Sequence, residues 1–274
     1  GDAVLPFRGD SGVEAPGDGV VALREEARVC SGKFVLRDYD FERPKLDMTA
    51  EAEAETFTDL ERYDYPGLYT EPSEGKRLVR VRLEAEQAQR EIAKLLADSP
   101  RLEAGKLFEL ADCPYEDQNG ELLVTRVVHL FGVGAAERLG RDGFFVAGSE
   151  DQYVASVSAI PKETKYRTPQ DTPRPVIYGP QTARVVGPEG AEPETIHTDE
   201  YGRVKVKFHW DLGPAEDDKA TFWIRTSQLQ TSGSMVLPRL DWEVIIEFLE
   251  GNPDRPIVTG KLYNGLCMPP YALP

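Results

Sequence analysis

The spacing of apolar residues predicts strands in the first half of the chain. Apolar and polar positions alternate over 151–161, and Pro161 ends this strand pattern. Residues 105–132 have the pattern of two strands joined by an acidic turn, in which Asn119-Gly120 tolerates the positive φ of a tight reversal. The aromatic and β-branched residues of 32–41 predict a further strand.

One helix is predicted, within residues 74–100. An apolar stripe recurs there at near-helical spacing, and Pro100 ends the span. Because the first part of the span also alternates like a strand, we expect the helix to begin a few residues into it. The stripe consists of Leu83, Ala85, Ala88, Ile92, Leu95 and Leu96.

Some stretches of the first half have weaker patterns. Residues 20–29 and 49–65 are compatible with either a helix or a strand. Residues 1–19 and the Gly- and Arg-rich stretch after residue 132 are predicted to be loops, because Gly, Pro and Asp favour turns.

The second half of the chain has a different pattern, with short strands, frequent turns and no predicted helix. Four prolines in 166–181 restrict φ and remove amide donors, which predicts an extended connector and a domain boundary. Five or six short strands in about 90 residues are typical of a small closed β-barrel. They are predicted at 181–187, 203–210, 221–228, 234–239, 243–251 and 256–264.

These patterns predict a mainly β fold with a minor α part, divided into two domains. The first domain is predicted to span 1–172, the barrel 173–264, and a linker 265–274. Because the opening residues are loop-like, we expect a piece of a longer protein.

The chain of 274 residues has a formal net charge of −16, and most of the acidic excess lies in residues 1–172. A negative field repels phosphate backbones and anionic headgroups, so nucleic acid is not an expected partner. No run reaches the ~20 apolar residues of a membrane-spanning helix, and the start lacks the features of a signal peptide. Stable membrane insertion is therefore not expected.

Three cysteines are widely spaced, without a C-x-x-C pair. An odd count of this kind favours structural thiols in a reducing compartment. The cysteines are Cys30, Cys113 and Cys267.

Several histidines and carboxylates flank the predicted strand 203–210, and both residue types can bind a metal ion. Two of them, His197 and His209, are 12 residues apart, and no third ligand recurs at a fixed spacing, so no metal site is predicted. His129 lies within an alternating strand, which favours a structural role. The set around the strand is His197, Asp199, Glu200, His209 and Asp211.

Signatures of catalysis and cofactor binding are missing from the sequence. There is no G-x-S-x-G nucleophile turn and no Walker-type phosphate loop. Gly132-Val133-Gly134 lacks the third glycine of a dinucleotide fingerprint. With 48 acidic residues, accidental carboxylate pairs carry no information on glycosidase chemistry. No enzyme activity, catalytic residue or cofactor is predicted.

A small β-barrel can bind single-stranded nucleic acid through exposed aromatic side chains. Here Lys205 and Lys207 form only a short basic row, so packing or subunit contact is the favoured use of the aromatics. The aromatic residues near the predicted strands are Phe208, Trp210, Phe222 and Trp223.

Three phrases of the second half, HTDEYGRVKVKFHWD (197–211), MVLPRLDWEVIIEFLEGNPDRPIVTGKLYN (235–264) and MPPYALP (268–274), closely resemble the VgrG family. VLRDYDFERP (35–44) and VTRVVHLF (124–131) resemble the later part of that family's hub domain. Segment 221–234 departs from the family, with one Trp and few glycines where members are rich in both.

The resemblance implies a trimeric tip protein of a type VI secretion system. Residues 1–172 would be the C-terminal part of a phage tail hub-like domain, 173–264 an oligonucleotide/oligosaccharide-binding (OB) barrel at the base of a spike, and 265–274 a linker toward a β-helical needle. The implied partners are two further copies, the inner-tube ring, a spike-tip capping protein and secreted effectors. Such a protein assembles in the cytoplasm and is then injected.

Three alternatives remain open at this point. One is the hub and spike of another contractile injector, such as a phage tail or tailocin. Another is the carrier part of an enzyme-bearing effector. The third is a nucleic-acid-binding OB protein.

The residues expected to matter are structural ones in the second half. Gly202 is expected to permit the turn before Arg203. Pro253 and Pro256 are expected to fix the turn around Asp254. Aromatic residues are expected to fill the barrel or form trimer contacts, and Phe248→Ala would cost ~3 kcal/mol or more if Phe248 lies in the core. These aromatics are Trp210, Trp242 and Phe248.

Overall fold

The computed structural model describes residues 3–9, 18–132, 153–229 and 235–272. The chain divides into two compact units, Gly1–Gln170 and Asp171–Pro274. The expected loop after residue 132, part of the opening loop (10–17), Ser234 and the last two residues lie outside the described residues. Within the described ranges, no helix is long and apolar enough to cross a membrane.

The described residues of the first unit form nine strands and one α-helix. Its elements are β1 (Ala3–Pro6), β2 (Val20–Ala27), β3 (Lys33–Arg37), β4 (Thr49–Glu53), β5 (Glu61–Asp64), α1 (Pro72–Gln87), β6 (Glu91–Ala97), β7 (Leu107–Ala111), β8 (Gly120–Phe131) and β9 (Tyr153–Pro161). The mainly β prediction with a minor α part is therefore confirmed, and the two ambiguous spans, 20–29 and 49–65, form strands.

Six strands of this unit form one sheet in the order β1-β7-β8-β9-β6-β2. Its two outermost strands are joined just beyond β1, where Phe7 forms a parallel bridge with Val20. The Arg8 amide donates to the Val20 carbonyl at 2.8 Å. This bridge closes the ring of strands, which we call the first barrel, around buried side chains such as Leu95, Phe108 and Val157.

The remaining strands form a small sheet, β4-β3-β5, that packs with α1. Phe34 and Leu36 lie in one buried cluster with Val79 and Leu83 of the helix. The α1 helix begins with a proline, whose missing amide costs nothing at the first helical position.

Two predictions for the first unit are wrong. The helix begins at Pro72 and ends at Gln87, and the later part of the predicted span forms β6. In β6, Leu95 and Leu96 point to opposite faces and both are buried, so sheet pairing on both sides outweighs helix propensity. The predicted opening loop contains β1, which pairs in parallel with β7.

The second unit consists of five short strands, β10 (Gln181–Val186), β11 (Lys205–Phe208), β12 (Arg225–Thr226), β13 (Glu243–Phe248) and β14 (Pro256–Leu262). They form a sheet in the order β11-β10-β13-β14-β12. Val204 and Ile224 form an antiparallel bridge that joins β11 to β12, with backbone hydrogen bonds of 2.9 and 2.7 Å. The pairing is therefore complete around this second barrel, as predicted.

Several predicted strands of the second barrel are shorter than expected. The span 221–228 contributes only Arg225–Thr226, and 235–239 has no regular secondary structure. The Gln228 side chain accepts from the Val236 amide at 3.0 Å and donates to the Val236 carbonyl at 3.3 Å. A side-chain amide therefore pairs with the backbone where a strand partner was expected.

Candidate interaction surface

Strand register in the second barrel defines two rims. At the connector rim lie Gln181, Phe208, Phe248 and Pro256, since β10 begins there and Phe248 pairs with Pro256. At the exit rim lie Val186, Lys205, Glu243 and Leu262, since Val186 pairs with Lys205 and Glu243 with Leu262. The polypeptide joins the barrel at the connector rim and leaves it at the exit rim after Leu262.

The connector rim brings together two of the predicted aromatic residues, Trp210 and Phe248. Phe208 lies between them, with ring centroids 5.1 Å from Trp210 and 6.2 Å from Phe248. Trp210 is 63% exposed and donates from its indole nitrogen to Gln181 Oε1 at 2.8 Å. Trp210 therefore covers the rim from outside, whereas Phe248 is half-buried against the core.

The turn between β13 and β14 also lies at the connector rim. It contains Pro253 and Asp254, and Pro256 follows it. Asn252, which the sequence did not single out, accepts the Asp254 amide on its side chain at 2.9 Å and the Arg255 amide on its carbonyl at 3.0 Å. Pro256 is buried and is the first residue of β14. Asn252 thus supplies the hydrogen bonds of a turn that the prolines flank.

The third predicted aromatic residue, Trp242, lies at the exit rim, apart from the other two. Its indole nitrogen donates to both carboxylate oxygens of Glu194 at 3.0 Å. Lys261 Nζ lies 3.1 Å from the centroid of the Trp242 ring, a cation–π contact. Cys267 Sγ donates to Glu194 Oε1 at 3.3 Å.

These contacts shift the pKa values of Glu194 and Cys267 at the exit rim. Hydrogen bonds from Trp242, and then from Cys267, hold the pKa of Glu194 below its ordinary value. Burial, followed by the bond to Glu194, raises the pKa of the Cys267 thiol. The carboxylate is therefore kept ionised and the thiol protonated. Sequence reasoning missed Glu194 and gave no role to Lys261.

Gly202 has a positive φ of 67°, as its predicted turn requires. The turn is fixed by Asp199, whose side chain accepts the Tyr201 amide at 3.1 Å and the Arg203 amide at 2.9 Å and pairs with the Arg203 guanidinium. A Cβ at Gly202 would also lie 3.1 Å from Leu237 Cδ2.

The histidines and carboxylates around strand 203–210 that could have bound a metal ion do not come together at one site. His197 Nε2 lies 3.5 Å from Asp218, His209 Nε2 lies 3.8 Å from Glu243, and Asp211 pairs with Lys207 at 3.0 Å. In the part of the chain that the structure describes, no group of three such residues could hold a metal ion. In the first barrel, His129 Nδ1 lies 2.6 Å from the Tyr153 hydroxyl.

The two lysines of the short basic row, Lys205 and Lys207, donate hydrogen bonds to loops of the second barrel. Lys207 is buried and donates to the carbonyls of Gly213 at 2.7 Å and Ala215 at 2.9 Å. Lys205 donates to the Asp218 carbonyl at 2.8 Å and lies over the Trp223 ring, 5.0 Å from its centroid. Both lysines therefore fix loops, and neither is presented as a phosphate ligand.

Several large apolar side chains of the second unit are exposed. Isolated cases need no explanation, but extended exposed apolar surface marks protein contacts. Several of these residues are at least half exposed, and the last four follow the exit rim. They are Tyr178, Trp210, Leu212, Phe222, Tyr263, Leu266, Met268 and Tyr271.

Comparison with known proteins finds one family match in each of the two units. Residues 1–134 match the phage tail baseplate hub family (GPD), and residues 193–263 match the type VI secretion system/phage-baseplate injector OB domain. The type VI secretion system spike protein VgrG1b of Pseudomonas aeruginosa is 42% identical over 254 residues, which are 90% of this chain and 33% of that protein. The chain belongs to the VgrG family.

VgrG relatives are found beyond Pseudomonas. VgrG3 of Vibrio cholerae, also a type VI secretion system spike protein, is 32% identical over 98% of this chain and 26% of its own length. The chain thus spans about a quarter to a third of the length of these curated VgrG proteins.

A solved structure shows the same fold. The E. coli c3393 protein, a component of the type VI secretion system, superposes with a TM-score of 0.52 and 20% identity over 95% of this chain and 50% of that chain. Both rims lie within or beside the part of this VgrG chain that matches the OB domain.

Proposed function

We propose that this chain is part of the tip of a type VI secretion system, a hub followed by the OB base of a spike. The observation that carries the proposal is the tandem arrangement of a hub match and an injector OB match in a chain that is 42% identical to a spike protein over 90% of its length. Its role is mechanical: it caps the inner tube and supports the spike that delivers effectors.

The assembled form is a homotrimer in this proposal, and the exposed apolar side chains of the second unit supply its contacts. Obligate oligomers bury such surface between subunits. The predicted structural residues Gly202, Trp210, Trp242, Phe248, Pro253, Asp254 and Pro256 shape the two rims that carry this surface. The inner-tube ring, a spike-tip capping protein and secreted effectors are the further partners.

The proposed protein is not an enzyme. The dispersed histidines, each paired with one carboxylate or tyrosine, support this reading. Nucleic acid is not a proposed ligand, because Lys205 and Lys207 donate to carbonyls of the barrel's own loops. The protein assembles in the bacterial cytoplasm and leaves by contraction of the apparatus.

A chimera tests this function. The matching residues of P. aeruginosa VgrG1b are replaced by this chain, and the culture medium is assayed for the chimera in a strain with an active apparatus and in one whose sheath cannot contract. We expect secretion only from the active strain. A chimera that is soluble and stable in cells but stays inside them, while native VgrG1b is secreted, would contradict the proposal.

The hub of a phage tail or tailocin is the second candidate, because the matched OB family includes phage-baseplate injectors. The high identity to type VI spike proteins favours the first candidate. Neighbouring genes distinguish them, since a phage tail hub is encoded among tail and capsid genes.

A further inference from the structure

Directly after β14 the chain closes a small hydrogen-bonded turn. Asn264 Oδ1 accepts the amides of Leu266 at 3.0 Å and Cys267 at 2.8 Å. The Asn264 amide donates to the Cys267 carbonyl at 3.2 Å. The segment 264–268, which we call the exit segment, therefore has a defined shape without belonging to a strand.

Cys267 attaches this segment to the barrel. Its neighbours Leu266 and Met268 are 80% and 70% exposed, whereas Cys267 is 7% exposed. Its Sγ lies 3.3 Å from Glu194 Oε1 and 3.6 Å from the Asp241 carbonyl. Within the exit segment, the thiol is thus the side chain turned inward onto the barrel.

Glu194 is held in place by other parts of the barrel. It has a positive φ of 60°, which is uncommon for a residue other than glycine. Arg239 donates to its carbonyl at 3.0 Å, and Trp242 donates to both of its carboxylate oxygens. Lys261 in turn lies over the Trp242 ring. The acceptor for the thiol is therefore held by residues outside the exit segment.

We propose that Glu194 and Cys267 form a latch that docks the exit segment on the exit rim and fixes the direction in which the polypeptide leaves the barrel. The latch opens without unfolding the barrel, because neither Glu194 nor Cys267 belongs to the buried apolar cluster of the barrel. This proposal does not rest on the spike function, since it concerns the exit of the chain whatever follows.

Amide hydrogen exchange of the exit segment in the full chain tests the latch. Glu194→Gln removes the negative charge and one of the two oxygens that accept from Trp242 and Cys267. We expect exchange at Leu266 and Cys267 to become about tenfold faster, because hydrogen bonds to a charged acceptor are stronger than those to a neutral one. Cys267→Ala, which removes the donor, should have a similar effect.

Two controls make the result specific. Glu192→Gln makes the same chemical change on an exposed residue of the same loop and should leave the exchange unchanged. The free energy of unfolding, measured by denaturation with Trp fluorescence, should stay the same in Glu192→Gln. In Glu194→Gln and Cys267→Ala it should fall by no more than about 1.4 kcal/mol, which corresponds to a tenfold change in opening. Unchanged exchange in both Glu194→Gln and Cys267→Ala, or an equal effect of Glu192→Gln, would overturn the latch. A larger fall in the free energy of unfolding of either variant would also overturn it, because the substitution would then destabilise the barrel itself.

Discussion

In the first barrel the outermost strands meet at Phe7 and Val20, and in the second barrel they meet at Val204 and Ile224. Polar side chains surround the first junction. Arg8 pairs with Asp98, which also accepts the Gly19 amide at 2.6 Å. The second junction, which has the ion pair of Arg203 with Asp199 beside it, is more completely buried. Val204 is fully buried and Ile224 is 1% exposed, whereas at the first junction Val20 is fully buried and Phe7 only partly.

The two junctions should therefore respond to different conditions. Partly exposed ion pairs contribute little at high salt, because mobile ions screen them. Buried apolar side chains contribute more, and salt does not screen them. We expect the first barrel to open at its junction in milder conditions than the second.

The largest expected effect is at the second junction. Ile224→Ala should lower the free energy of unfolding by about 3 kcal/mol, because it leaves a cavity in a fully buried site. All three tryptophans, Trp210, Trp223 and Trp242, lie in the second unit, so denaturation followed by Trp fluorescence reports on this barrel. Phe222→Ala, at a 56% exposed neighbour, is the control and should cost less than about 1 kcal/mol. Equal costs would contradict the account of the second junction as a tightly buried apolar site.

Phe248→Ala should have a smaller effect on the same barrel. Phe248 is half-buried at the connector rim, so we expect a loss of about 2 kcal/mol, below the value for a core phenylalanine. Chemical denaturation with Trp fluorescence measures it. A loss as large as that of Ile224→Ala would show that the rim is as tightly packed as the core.

Asp98→Asn should weaken the first junction by about 1 kcal/mol, because it removes the charge that pairs with Arg8. Amide exchange at Arg8 should become faster, and the difference from wild type should shrink in about 1 M salt. Asp59→Asn, on an exposed residue, is the control. Loss of the stability that Trp fluorescence reports would contradict the assignment of Asp98 to the first junction, because all three tryptophans lie in the second unit.

The mildest test is acid titration of the turn at Gly202. Burial alone would raise the pKa of Asp199, but hydrogen bonds from Arg203 outweigh it and lower the pKa below 3.8. The stability from Asp199 is thus complete above pH 3.8 and is lost as the pH falls through the lower folded value. Amide shifts of Tyr201 and Arg203 should titrate with a midpoint below 3.8. A midpoint above that value would contradict this account.

The sequence predicted those parts of the fold that depend on local pattern. Alternation identified β9 and the pair β7 and β8, and the turn residues indicated a closed barrel in the second unit. The position of α1 was wrong because Leu95 and Leu96 fit a helical stripe as well as a strand buried on both faces. Only the neighbouring strands, distant in sequence, decide between the two.

The side-chain contacts at the two rims were harder to predict from the sequence than the strands. The turn at Gly202 was predicted from one residue type, and Gly202 has a positive φ of 67°. Glu194 has no signal of its own, because its role depends on Trp242 and Cys267, 48 and 73 residues later. The same holds for Gln228, whose side chain pairs with Val236.

The central claim is that exposed apolar residues of the second unit form contacts between copies of the chain. The most direct test is the mass of the protein in solution, measured by light scattering over a range of concentrations. The proposed function predicts a trimer, with a mass three times the 30.5 kDa of one chain. A mass of one chain at every concentration would contradict the claim that these residues carry the contacts of a trimeric spike.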